Sequence, residues 1–184
     1  MTRTDRAAPP LSGPDWRDAN SYSPRWDARA ATAAQFVPAG ASVLDLGCGP
    51  RQALRALLPA GCRYSPADMT KWSDETILVD LDKAEYPLGQ YDVTVILGVL
   101  CYLRDPARVL RQVAAHSKTL IVSFTHPRLW ESRKRRERRG WINHYRYSEL
   151  RHLLKGAGWN VVAEHRNAHS HRHRTVIYRA EVSV

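Results

Sequence analysis

The residues best suited to chemistry lie between Val43 and Asp68. The segment Val43-Leu-Asp-Leu-Gly-Cys-Gly-Pro50 puts an acid, Asp45, within an apolar run that ends in two glycines. Gly47 and Gly49 permit a tight turn and close approach of a ligand to the backbone, since neither carries a Cβ. A short helix is expected from Gln52 to Leu58, with free N–H groups at its start that favour an anionic ligand group. A second acid, Asp68, stands at the end of the next apolar segment, the position from which a carboxylate holds ribose hydroxyls in nucleoside-binding α/β folds. A lone G-x-G carries little weight. Strand, Asp-x-Gly-x-Gly, helix, strand and Asp together point to a nucleoside cradle, with a plain connection as the bland alternative.

These residues need a sheet to position them. Val43–Leu46, about Arg63–Ala67, Thr76–Val79, Asp92–Leu97 and Thr119–Phe124 read as strands, several of them continuously apolar. Such runs suit a parallel sheet buried on both faces. Helices are expected over Arg25–Phe36, from Asp105-Pro106 to about His116, and from a Ser148 cap through Lys155, because Asp and Ser cap helices and Pro is tolerated in the first turn. Asn160–Glu164 and Arg174–Val182 are predicted to pair as antiparallel neighbours. Strands alternating with helices argue for an α/β sheet with its ligands beyond the carboxyl ends of the strands.

Over about residues 22–182 the chain resembles the small, single-domain class I S-adenosylmethionine-dependent methyltransferases. Asp45, Gly47, Cys48 and Gly49 match the first motif, which in that family lines the methionine end of the cofactor. Asp68, followed by Met69, matches the acid that holds the ribose, and Asp80-Leu81 the pair flanking the adenine. Tyr91-Asp92-Val93 through Leu97-Gly98-Val99-Leu100 resembles the fourth strand and its loop, which meets the cofactor amino group. The resemblance implies a Rossmann-like, doubly wound sheet of seven strands in the order 3-2-1-4-5-7-6, with strand 7 antiparallel. It implies S-adenosylmethionine as cofactor and S-adenosylhomocysteine as product. Residues 15–184 would form one domain behind a flexible tail, 1–14. Pro50-Arg51 departs from the family pattern, which often has a third small residue there. Arg51 either pairs with the methionine carboxylate, as Arg does with carboxylates, or points outward from the turn. Tyr22 is expected to cover the methionine end, whereas Trp26 reads more as helix packing.

Methyl transfer from a sulfonium is an in-line displacement, so alignment and desolvation can suffice. A base helps when a hydroxyl must lose its proton. Tyr102, His126 and His144 fall where acceptor-side residues belong, His126 being the best candidate for a base because imidazole titrates near neutrality. A polar residue at a strand end is also commonly a loop anchor. Ser132-Arg-Lys-Arg-Arg-Glu-Arg-Arg139 carries six cations and one anion between Trp130 and Trp141. Within residues 125–147 it reads as a basic aromatic lid beside the acceptor, or as a solvated charge run. The expected acceptor is a small molecule or saccharide-type compound, anionic in one reading, methylated at oxygen. RNA or DNA methylation is the alternative, and a non-catalytic cofactor-binding protein a further one. Against nucleic acid, the loop after the fourth strand has no Asn/Asp-Pro-Pro-aromatic sequence, and no cysteine follows a proline. His165, His169, His171 and His173 read as an exposed hairpin loop; their spacing is not a common zinc pattern, and no metal is expected.

Composition sets outer bounds. The 184 residues fit one domain with a real core, at 43% apolar and 25% charged. No apolar run reaches the ~18 residues of a membrane span. The polar start of the chain is not a secretory signal. The odd count of three cysteines argues against a disulfide framework and for a reducing cytoplasm. Of the net +10, residues 1–103 contribute 10 Lys+Arg and 12 Asp+Glu, and residues 104–184 contribute 18 and 6. The basic surplus thus belongs to the acceptor half.

Overall fold

The computed structural model describes residues 14–83, 89–128, 130–166 and 174–183. Among them, strands β1 (Ser42–Leu46), β2 (Arg63–Asp68), β3 (Ile77–Leu78), β4 (Tyr91–Leu97), β5 (Ser117–His126), β6 (Trp159–Arg166) and β7 (Arg174–Val182) form one sheet. Its order is β3-β2-β1-β4-β5-β7-β6. The first five strands run parallel, and β7 pairs antiparallel with both β5 and β6. This is the seven-strand arrangement expected from the sequence resemblance.

Alternating side chains sort to opposite faces of the strands. Leu44, Leu46, Ile96, Leu120, Val122 and Phe124 pack on one face with α2 (Pro106–Ala114) and α4 (Tyr147–Gly156). Val43, Val93, Val95, Ile121 and Ile177 pack on the other, against Ala30, Ala33 and Ala34 of α1 (Asp27–Ala34). Small alanines let α1 lie close to the sheet. Asp105 caps α2 by accepting from the Arg108 N–H, with Pro106 in the first turn. Trp159, fully buried, donates its indole N–H to Leu110 O and ties β6 to α2. At the amino edge of the sheet, Asp92 accepts from Ser42 and from Lys118 Nζ, which holds its carboxyl well below the ordinary range.

Several local expectations are revised. Gln52–Leu58 is not an α-helix: a 3-10 turn covers Arg55–Leu57, and Gln52 has a left-handed φ of 42°. A helix cannot start across that residue, so its N–H groups offer no aligned dipole to an anion. Ser148 is not the cap of α4; the Arg146 N–H is taken by Glu149 Oε2 at 2.7 Å. The segment after β5, read from the sequence as a basic aromatic lid or a solvated charge run, contains a short helix, α3 (Arg133–Glu137). No helix of the described residues is long and apolar enough to cross a membrane.

Candidate active site

The chain reverses direction across the sheet between β1 and β4, and a cavity of about 1240 Å3 opens beyond the carboxyl ends of those strands. Gly47, Cys48 and Gly49 form its rim after β1. The Gly47 and Cys48 N–H groups donate to Ala67 O at 2.8 and 3.2 Å, pinning the turn to β2. Asp68 Oδ2 accepts from the Gly49 N–H at 2.9 Å and Oδ1 from the Thr70 N–H at 3.1 Å. Burial pushes the Asp68 carboxyl up from its ordinary value, against those hydrogen bonds. Asp45, 4% exposed, accepts from Tyr64 OH at 2.8 Å, yet burial still raises its pKa to about 7. Asp80, Leu81, Met69, Leu97 and Gly98 complete this end of the wall.

A cover of aromatic rings closes the cavity from the N-terminal side. Trp16 packs on Tyr22, Trp26 and Tyr102 with centroids 4.8–5.9 Å apart. Tyr22 lies so close to Gly49 that a Cβ there would sit 2.8 Å from its ring. Burial and the neighbouring Asp68 push the Tyr22 phenol far above its ordinary value, so it stays neutral.

Arg29 is a site residue that the sequence reading missed. It projects from α1 into the cavity and lies over Gly98, where a Cβ would overlap its guanidinium. The positive φ of 76° at Gly98 is a second reason for glycine there. Burial depresses the Arg29 pKa, and its Nε finds no hydrogen-bond partner among the described residues. The Trp26 ring lies 5.3 Å from the guanidinium carbon. The available signal was a single arginine in an alanine-rich helix just before the glycine motif. Arg51 also lines the cavity, where it forms a two-pronged pair with Asp27, at 2.7 Å for Nη2.

The acceptor-side candidates separate. Tyr102 lines the cavity, and its OH accepts from Trp141 Nε1 at 2.8 Å. His126 does not reach the cavity. It is 1% exposed, stacks on Tyr147 at 4.0 Å and sits with Nδ1 2.9 Å from Tyr145 O and Nε2 2.6 Å from Tyr178 OH. A carbonyl only accepts, so Nδ1 carries the proton and Nε2 receives the phenol hydrogen. His144 also lies outside the lining; its Nδ1 accepts from Arg136 Nε at 3.1 Å, and burial beside Arg136 lowers its pKa. Neither imidazole presents a free basic nitrogen to the cavity. His165 is exposed on β6, while His169, His171 and His173 lie outside the described residues. Among the described residues no group of three His, Cys, Asp or Glu could hold a metal ion.

The basic run is anchored rather than uniformly solvated. Arg136 is 1% exposed; it donates to Thr125 O, Glu131 and His144, and lies 4.5 Å from the Trp141 ring. Asn143 donates to Leu100 O and Leu103 O, and the Ile142 N–H to Cys101 O, fixing the following loop on the end of β4. This packing brings Arg138, Arg139 and Trp141 to the cavity beside Ser123, Thr125 and Thr175.

The model of the family described as "Methyltransferase domain" matches residues 18–164. A search of curated proteins returned no significant match. Among solved structures, a chain of the complex between the Haloferax volcanii Trm112 methyltransferase activator and the protein described with it as a "putative methyltransferase" superposes with a TM-score of 0.70 at 18% identity, over 87% of this chain and 90% of the other. The 1,6-didemethyltoxoflavin-N1-methyltransferase of Burkholderia thailandensis, with its substrate and S-adenosylhomocysteine bound, gives 0.69 at 17% identity, over 91% and 82%. Mitomycin 7-O-methyltransferase gives 0.63 at 18% identity, over 86% of this chain and 54% of its own. At these identities the structural likeness shows the fold, whereas the family match covers most of the chain. By that match the chain belongs to the methyltransferase-domain family and is a class I S-adenosylmethionine-dependent methyltransferase.

Proposed function

We propose that the chain transfers the methyl group of S-adenosylmethionine to an oxygen of a small-molecule acceptor. The cavity carries this reading. At about 1240 Å3 it exceeds the roughly 300–1,000 Å3 of a single-ligand site, so a cofactor and a small acceptor fit together. The residues present suit the cofactor. Asp68 retains acceptor capacity for two ribose hydroxyls after bonding Gly49 and Thr70. Asp80, Leu81 and Met69 would flank the adenine, and the backbone of Leu97 and Gly98 would meet the amino group. Gly47, Cys48 and Gly49 would back the methionine end under Tyr22, near Asp45. Arg29, a cation without an acceptor on its Nε, would take the carboxylate. Arg51 is not given that role, because Asp27 holds it.

The bound sulfonium supplies an activated methyl group; the protein aligns it and excludes water. Tyr102 orients the acceptor from the wall it shares with Trp141. Among the described residues no histidine, lysine or glutamate lines the cavity. With the lining carboxylates Asp45, Asp68 and Asp80 assigned to the cofactor end, this reading favours an acceptor oxygen that ionises without a protein base, such as an acidic phenol or a carboxylate. Residues 15–184 serve as one methyltransferase domain, with 125–147 as the acceptor wall. The free cysteines suit a reducing cytoplasm.

Calorimetry with S-adenosylmethionine and S-adenosylhomocysteine tests the cofactor step; binding of both is expected, and binding of neither overturns the reading. A screen of phenolic metabolites and anionic sugars, read as S-adenosylhomocysteine release, then tests the acceptor. The competing reading is a nucleic-acid acceptor, favoured by the exposed Trp130, Arg133 and Lys134. Steeply salt-dependent binding of mixed oligonucleotides in the absence of any small acceptor would select it.

A further inference from the structure

Asp45, Asp68, Asp80 and Asp82 line the cavity at and beyond the ends of β1, β2 and β3, with Arg29 and the Asp27–Arg51 pair also in the lining, while Arg138 and Arg139 line it with residues of β5 and β7. The acids are already engaged: Asp45 by Tyr64, Asp68 by Gly49 and Thr70, Asp80 by the Asp82 N–H, and Asp82 by the Arg104 N–H. At the opposite end one carboxylate, Glu131, serves two guanidiniums, Arg136 at 3.3 Å and Arg139 at 3.2 Å. Glu137 is taken by Arg133 at 2.8 Å. Arg138 has no acidic partner among the described residues. Glu131 with Arg136, Arg138 and Arg139 leaves a local excess of two positive charges, and of these groups Arg138 and Arg139 line the cavity.

The same end has a polar floor and flat walls. Ser123 is 1% exposed, and its Oγ lacks a hydrogen-bond partner among the described residues. A buried hydroxyl left unbonded costs stability unless a ligand completes it. Thr125 and Thr175 hydroxyls lie 2.9 Å apart beside it. Trp141 and Tyr102, joined by their 2.8 Å hydrogen bond, line this end with aromatic rings; Arg136 and Arg139 lie 4.5 and 5.2 Å from the Trp141 ring, and Trp16 packs on Tyr102 from the cover. Guanidiniums grip carboxylates through paired N–H groups, and aromatic walls favour planar ligands.

We propose that the acceptor is a planar aromatic acid, whose carboxylate docks on Arg138 and Arg139 while its ring lies against Trp141 and Tyr102 above the Ser123 hydroxyl. This inference rests on the methyltransferase reading and names the substrate class of that site. The carboxylate is an anchor in this arrangement, and Arg29 remains free for the donor.

The test uses the whole protein saturated with S-adenosylhomocysteine. Benzoate and 4-hydroxybenzoate are titrated against their neutral amides, benzamide and 4-hydroxybenzamide, by ligand-observed NMR at two salt concentrations. Each acid is expected to bind about tenfold or more tightly than its amide, and only the acids should weaken at high salt. Arg138→Gln and Arg139→Gln should each lower the affinity for the acids about tenfold, leaving the amides and S-adenosylhomocysteine unchanged. Amides that bind as well as the acids, acids that do not bind, or variants without effect would overturn the proposal while the cofactor reading stands. Failure of S-adenosylhomocysteine to bind the native protein would overturn both.

Discussion

A guanidinium taken out of water without an anion is costly, and Arg29 is held in that state by Gly98 beneath it and Trp26 beside it. An enzyme that binds a zwitterionic amino-acid moiety gains from a cation poised this way. Arg29→Gln is expected to weaken S-adenosylmethionine and S-adenosylhomocysteine by about 10- to 100-fold in calorimetry, the equivalent of ~1.5–3 kcal/mol for a charged hydrogen bond. The ligand-free variant should melt no lower than the native protein, because a desolvated charge has been removed. Arg51→Ala, by contrast, should change cofactor affinity by less than about threefold, since it breaks only an exposed pair with Asp27. Asp45 gives a pH signature. Its carboxyl keeps a proton in the fold up to about pH 7, whereas the unfolded chain releases it near pH 4. The folded state then binds more protons between those values, so this group's contribution to stability falls as pH rises from about 4 to 7. The total is at most on the order of 4 kcal/mol, about three units at 1.36 kcal/mol each. Melting curves of Asp45→Asn should lose less over that range than those of the native protein; parallel curves would contradict a protonated Asp45.

The paired strands β5 and β7 show how an element can take a residue out of chemistry. His126 and Tyr178 are joined across this pair at 2.6 Å, on the face that packs against α2 and α4. Strand alternation therefore sends Ser123 and Thr125 to the cavity and Phe124 and His126 away from it. Tyr178→Phe leaves His126 Nε2 without its donor. It should lower unfolding free energy by about 1–3 kcal/mol in denaturant titrations while the rate of S-adenosylhomocysteine formation with a screened acceptor stays within about twofold. A hundredfold rate loss in a folded variant would restore His126 as a proton acceptor. The turn after β1 is a second case. Gly47 and Gly49 were readable as a tight turn from spacing alone, but the left-handed Gln52 after Pro50-Arg51 replaces the expected helix with a 3-10 turn. At α4 the helix was legible and its cap was not, because Ser148 and Glu149 are adjacent and only the backbone path decides which side chain meets the Arg146 N–H.

Across the whole molecule the aromatic cover joins segments that are distant in the chain. Trp16, Tyr22 and Trp26 come from a segment before α1, yet they meet Tyr102 after β4 and Trp72 after β2. This cover ties the segment before α1 to the loops after β2 and β4 beside the cavity. Trp16→Ala removes three ring contacts at once. It is expected to release S-adenosylhomocysteine about tenfold faster in stopped-flow measurements, while the melting temperature moves by only a few degrees. An unchanged release rate would show that the cover does not retain the ligand. The amino-acid sequence by itself determined the strand succession, the glycine turn and the acids Asp45, Asp68 and Asp80, because these features are written in contiguous apolar runs and fixed local spacings. It also located the basic surplus in the second half of the chain. Only the tertiary structure decided which cations matter where. Arg29 reaches Gly98 through the packing of α1 on the sheet, and Arg136 is buried against Thr125 and Trp141. Arg138 and Arg139 then line the cavity while Arg133 and Lys134 face solvent. A linear run of like charges has no inner or outer side until the chain packs against something, and burial and direction belong to that packing.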